Sequence, residues 1–203
     1  MDASMIMHSR NVQVRKTEQG FSLIEVLISM TVLTVGMVSL LGVFGLAMAS
    51  TQTSQQDMIA KQIANETLEG IVTARNTSQI QWDDIQNVGA TTCTGPTNPC
   101  GIFVSTTTPV YKAGADGIFG TSDDSTAGVQ TLTEPGADGI YGTSDDVQIP
   151  LSGYQRTILI SQVTNSSGVV VPSLRGINIT VQYSTASRLS KTYALSTFIS
   201  QYQ

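Results

Sequence analysis

Histidine, cysteine and tryptophan are scarce in this chain of 203 residues, which holds one His (His8), two Cys (Cys93 and Cys100) and one Trp (Trp82). A zinc centre of the Cys/His type needs more ligands than these. His8 sits close to the N-terminus, so the body of the chain lacks the base of a Ser–His or Cys–His pair. The many Ser and Thr residues have no Lys at a recognisable spacing, and no enzyme is expected. Charge is also thin, at 12% of residues against roughly 25% in ordinary globular proteins. It leans acidic, with 10 Lys+Arg against 15 Asp+Glu, a net charge of −5 and no basic block. That balance argues against a nucleic-acid partner. Low charge does not signal disorder here, because hydrophobic residues reach 40%. The length suits one domain, or one domain with an appendage.

The apolar residues are concentrated. Residues 21–49 read FSLIEVLISMTVLTVGMVSLLGVFGLAMA, with Glu25 as their only charge. About 20 apolar residues suffice to cross a bilayer as a helix. Arg10, Arg15 and Lys16 against Asp2 and Glu18 make the preceding flank basic, which places the N-terminus inside. A secretory signal would end at a site such as Ala47-Met48-Ala49, but its apolar region is roughly 7–15 residues, about half this run. A plain anchor explains the length but not the acid. An unpaired Glu at membrane depth costs at least about 2.5–3.5 kcal/mol, so Glu25 is a functional candidate.

The residues that decide between these readings are Gly20-Phe21-Ser22-Leu23-Ile24-Glu25-Val26-Leu27. A short basic leader, Gly before a cut, Phe after it and Glu at the fifth position beyond resemble the prepilin cleavage and N-methylation motif. That motif belongs to type IV pilins and type II secretion pseudopilins. The run EVLISMTVLTVGMVSLLGV looks most like PilV-type minor pilins. The resemblance implies that a prepilin peptidase removes residues 1–20 and methylates the new amine of Phe21. Residues 21–50 would then be the transmembrane and assembly helix, and residues 51–203 a periplasmic head. It implies an α+β fold, a long N-terminal helix packed on an antiparallel sheet. The implied location is the inner membrane, single-pass with the N-terminus cytoplasmic, and then a filament. The implied partners are other pilin or pseudopilin subunits, the prepilin peptidase and an inner-membrane assembly platform.

The chemistry of the motif can be argued from its groups. Cutting after Gly20 leaves a cationic amine on Phe21, and methylation keeps its charge. Glu25 is the one formal countercharge nearby, either in its own chain about one turn away or on a neighbour. Two charges that are each costly alone make a selective contact when matched. Ser29, Gly36, Ser39, Gly42, Gly45 and Ala49 interrupt the larger side chains, as expected where membrane helices approach closely.

Beyond the membrane the pattern stays helical to about Thr77, with Met58, Ile59, Gln62, Ile63, Glu66, Leu68 and Ile71 predicted as the face laid on the head. Trp82 reads as a packing residue. Residues 154–164 and 191–200 read as strands, and Ile177, Ile179, Val181 and Tyr183 alternate with polar residues in another. Asn165-Ser166-Ser167-Gly168 supplies a turn. A further strand is expected over residues 101–108. Cys93 and Cys100 bracket a loop of turn formers, and outside the inner membrane a disulfide is the expected state.

One eleven-residue segment occurs twice. Gly-Ala-Asp-Gly-Ile-Phe-Gly-Thr-Ser-Asp-Asp at residues 114–124 returns at residues 136–146 with Tyr141 in place of Phe119. The acids are Asp116, Asp123 and Asp124 in the first copy and Asp138, Asp145 and Asp146 in the second. Clustered carboxylates on a Gly-bent backbone repel unless compensated, and Ca²⁺ is suited to such oxygen-rich turns. The segment is similar to the acidic Gly-Asp-Gly loop that holds calcium in major type II pseudopilins, although here it precedes the last strands. One or two ions would fit this reading, and a pair of solvated turns is the alternative. Three functions follow: a minor pilin-like subunit of a type IV pilus, a minor pseudopilin of type II secretion, or a membrane-anchored calcium-dependent binding module.

Overall fold

The computed structural model describes residues 20–93, 100–185 and 189–202. The predicted leader therefore lies outside the described residues except for Gly20. The chain divides into two compact units between Leu46 and Ala47, and helix α1 (Leu23–Asn76) contributes to both.

In the first unit every described side chain is exposed, including Leu23, Ile24, Leu33, Leu41 and Phe44. α1 is the one described helix long and apolar enough to cross a membrane. Its hydroxyl groups are satisfied locally. Ser29 Oγ donates to the carbonyl of Glu25 at 2.7 Å, and Ser39 Oγ to that of Val35 at 2.8 Å. Thr31 and Thr34 donate to Ile28 and Thr31 in the same way. Such bonds satisfy these four hydroxyls within the helix, which lets Ser and Thr sit in hydrocarbon.

The second unit is α+β. Strands β1 (Thr108–Pro109), β4 (Tyr154–Thr164), β5 (Val170–Ser184) and β6 (Ser190–Ser200) form one antiparallel sheet in the order β1-β4-β5-β6. Strands β2 (Thr131–Glu134) and β3 (Val147–Pro150) pair as a separate hairpin. A short helix α2 (Asp124–Ala127) precedes it. The β4–β5 connection turns at Asn165, whose side chain accepts from the amides of Ser167 and Val169, with Gly168 at φ +77°. The period-two pattern holds in β5, where Ile177, Ile179, Val181 and Tyr183 are buried. They meet the second half of α1 in one core with Phe103, Val110, Ile118 and Ile158.

Two expectations are corrected. The face that α1 buries is Ala60, Ile63, Ala64, Thr67, Ile71 and Ala74, while Met58 is 70% exposed and Gln62 is also exposed. Ile63 and Ile71 of the expected face are buried and Ile59 and Leu68 pack against the core, with Ala60, Ala64, Thr67 and Ala74 completing the stripe. Residues 101–108 are not a strand, since pairing there is one bridge from Asn87 to Phe103 and the start of β1. Gly101 has φ +86°. The amides of Ile102, Phe103 and Val104 bond to the carbonyls of Asp84, Gln86 and Gly120, none of which lies in a strand. Trp82 opens a 3-10 turn (Trp82–Asp84), packs against the core and donates its indole N–H to Pro172 at 3.0 Å.

Candidate functional site

The two copies of the repeat fold alike. In the first, the amide of Ile118 donates to Asp116 Oδ1 at 2.8 Å and that of Gly120 to Asp124 Oδ2 at 2.6 Å. In the second, Ile140 donates to Asp138 Oδ1 at 2.9 Å and Gly142 to Asp146 Oδ2 at 2.7 Å. Thr121 Oγ1 and Thr143 Oγ1 each lie 2.6 Å from the matching carboxylate oxygen, of Asp123 and Asp145. These hydroxyl bonds are the main reason both carboxyls sit below the usual carboxylate range. Gly117 and Gly139 adopt φ +70° and +68°, Gly120 and Gly142 φ +91° and +86°, a region that L side chains rarely enter. A Cβ on Gly114 or Gly136 would collide with Asp123 or Asp145. The glycines therefore let the backbone close on its own carboxylates.

Their surroundings differ. Asp124 is buried, and its Oδ2 lies 3.4 Å from Arg156 of β4, with both side chains 3% exposed. Burial raises the Asp124 pKa, while the Gly120 and Gly114 amides and Arg156 oppose that rise. Arg156 also donates to Thr67 of α1 at 3.1 Å and lies 5.3 Å from the centroid of the Phe119 ring. Ile118 is buried in the core. Ile140, Tyr141, Asp138 and Asp145 of the second copy are all exposed.

The donor set of the first copy fits a hard cation. One oxygen from each of Asp116, Asp123 and Asp124 falls within 4.8 Å of the others. Thr121 Oγ1 is also within hydrogen-bond distance of the Ile118 carbonyl at 3.2 Å, and of Asp124 Oδ1 at 3.4 Å. A hydroxyl has one proton for these acceptors, and an all-oxygen set of carboxylates, hydroxyl and carbonyl suits Ca²⁺ over softer metals. The cluster is also partly compensated without any ion, through the backbone N–H groups and Arg156.

At the start of α1, Phe21, Glu25, Val26, Ser29, Met30 and Leu33 line one shallow open groove. Phe21 and Glu25 thus share a face, with Glu25 in the first helical turn, where a carboxylate interacts favourably with the helix dipole. Among comparisons with known families, the prokaryotic N-terminal methylation motif matches residues 15–41. The chain carries that motif.

The methylation motif spans Gly20, Phe21 and Glu25 and supports a type IV pilin-like precursor, a class of structural subunit. It agrees with a membrane-anchored N-terminal helix and with assembly among pilin-type subunits after prepilin peptidase processing. Neither the comparison with curated proteins nor that with solved structures gave a match.

Cys93 and Cys100 form a disulfide, with Cα atoms 6.0 Å apart. The loop they bracket, residues 94–99, lies outside the described residues. Gln86 Nε2 donates to Cys100 Sγ at 3.1 Å while its Oε1 accepts from Thr92 at 2.8 Å, tying the bridge to the turn after α1. The residue that sequence reasoning passed over is Arg156. Its signal was its register, since it falls between Tyr154 and Ile158 on the inward face of β4. A lone cation on that face needs a buried anion.

Proposed function

We propose that this chain is a minor pilin-like structural subunit of a type IV pilus, most like the PilV type. It is cut after Gly20, N-methylated at Phe21 and drawn from the inner membrane into a filament, with its head on the periplasmic side. The observation that carries the reading is the methylation motif over residues 15–41, set on a helix whose apolar side chains find no partner in their own unit. Such a surface asks for lipid or for other helices. Glu25 supplies the register, pairing with the Phe21 amine of a neighbour in a low-dielectric bundle, where an unmatched charge is penalised.

The test is Glu25→Ala in cells that express the full precursor. Leader removal continues, and incorporation into sheared filaments falls by about tenfold or more, the scale of losing one matched charge in a desolvated contact. Normal incorporation of the variant contradicts the mechanism. If the wild-type chain stays with the cell envelope and its loss blocks protein export instead of piliation, the machine is type II secretion.

The acidic repeat adds a calcium-binding element to this reading. Asp116, Asp123 and Asp124 with the Thr121 hydroxyl and the Ile118 carbonyl would hold one Ca²⁺ in the first copy, where the loop is already anchored to the core. The ion would supply positive charge beside three carboxylates held in one loop. This would fix the loop against β4 and α1, a structural role.

A further inference from the structure

One sequence folded twice, once with a seat and once without, is an internal control on what the segment does. The first copy shows the seat. Ile118 enters the core, Phe119 lies under the Arg156 guanidinium, and a Cβ on Gly70 of α1 would come within 3.3 Å of the Phe119 ring. Asp124 pairs with that same Arg156. The seat is thus an arginine on a strand and a glycine on a helix, next to an apolar pocket.

The second copy offers the same acids and hydroxyl with matching bonds from Asp138, Ile140, Gly142 and Thr143, at the tip of the β2–β3 hairpin. Among the described residues, none of its hydrogen bonds leaves the loop. Ile140 is 60% and Tyr141 67% exposed. The next strand adds Val147 and Ile149, which are exposed as well. From Glu134 to Pro150 the chain has Glu134, Asp138, Asp145 and Asp146 and no Lys or Arg. Apolar residues on a wholly acidic tip leave solvent most favourably against a basic surface. The single substitution points the same way. Phe119 is partly buried beside the Arg156 guanidinium, whereas Tyr141 carries a hydroxyl on a side chain that is 67% exposed.

We propose that the second copy is a docking element for another protein, and that the partner surface reproduces the first copy's seat. That surface brings an arginine of one element beside a Gly or Ala of another. Asp146 takes the place of Asp124 against the arginine, Tyr141 that of Phe119 beneath it, and Ile140 fills the adjoining apolar pocket. The seat on this chain is filled by its own first copy, so the partner supplies a seat of its own.

The test is photocrosslinking of the full chain in its native envelope, with p-benzoylphenylalanine at position 141 and, in a parallel strain, at position 119. The position-119 probe links within its own chain to α1 and reports that the head is intact. The position-141 probe is expected to link to another protein, at a peptide that contains an arginine. Asp146→Lys should lower that yield about tenfold. Glu134→Lys, which leaves every bond inside the loop untouched, should lower it about threefold. Replacing the partner's arginine by aspartate should restore yield in the Asp146→Lys background. A link confined to lipid or to the chain itself overturns the proposal. So does a captured peptide without arginine, or a yield indifferent to both charge reversals while the position-119 link persists.

Discussion

Residues 114–124 and 136–146 make the same internal hydrogen bonds to within 0.1 Å at three equivalent positions, yet one copy is built into the core and the other projects from it. Conformation here is therefore local. Glycines at positive φ and Asp side chains that accept from the backbone two or four residues on are enough to set the loop. Burial is not local. It depends on Arg156 arriving from β4 and Gly70 from α1, and no second pair of this kind meets the second copy among the described residues. A duplicated segment can thus keep its shape and exchange its role, from internal brace to exposed tip.

The largest difference between the copies should appear at the last aspartate. Asp124→Ala strips Arg156 of its buried countercharge and is expected to destabilise the full chain in detergent by about 3–5 kcal/mol. Asp146→Ala, in the exposed copy, frees an amide that water can satisfy and should cost about 1 kcal/mol or less. Equal losses in thermal unfolding would break the comparison.

The isoleucines sharpen it. Ile118 is 3% exposed and Ile140 60%, so Ile118→Ala should cost about 2–5 kcal/mol through lost burial and a residual cavity. Ile140→Ala should stay within about 0.5 kcal/mol. Denaturant titration of the two variants reads both numbers.

The smallest effect concerns calcium. At ten times its dissociation constant an ion bound to the folded state alone adds about 1.4 kcal/mol. That gain in thermal stability should vanish on chelation and in Asp116→Ala, but persist in Asp138→Ala. A gain that both variants keep would remove the ion from the repeat.

Much of this architecture was legible before any coordinates. The membrane helix could be read because 24 residues after Glu25 pass without a charge, β5 because residues 177–184 alternate apolar with polar, and β4 and β6 because apolar residues recur between turn formers. The faces were harder. Hydrophobicity found Ile63 and Ile71 but also picked Met58, and it passed over Ala60, Ala64 and Ala74, whose small side chains carry little hydrophobic signal. The β2–β3 hairpin escaped because its strands are four residues each and the second is wholly exposed, so neither carries a buried-face pattern. Within the repeat the acids were visible as a cluster. That Asp124 alone among them is buried was not, because it is decided by Arg156, which lies 32 residues from Asp124.

The central claim is that the chain is a prepilin-type precursor cut and methylated at its motif. Intact-mass and N-terminal peptide analysis of the protein from native membranes tests it most directly. The account predicts a chain that begins at N-methylated Phe21. A chain that starts at Ser50, or that keeps Met1 in cells whose prepilin peptidase is active, contradicts it.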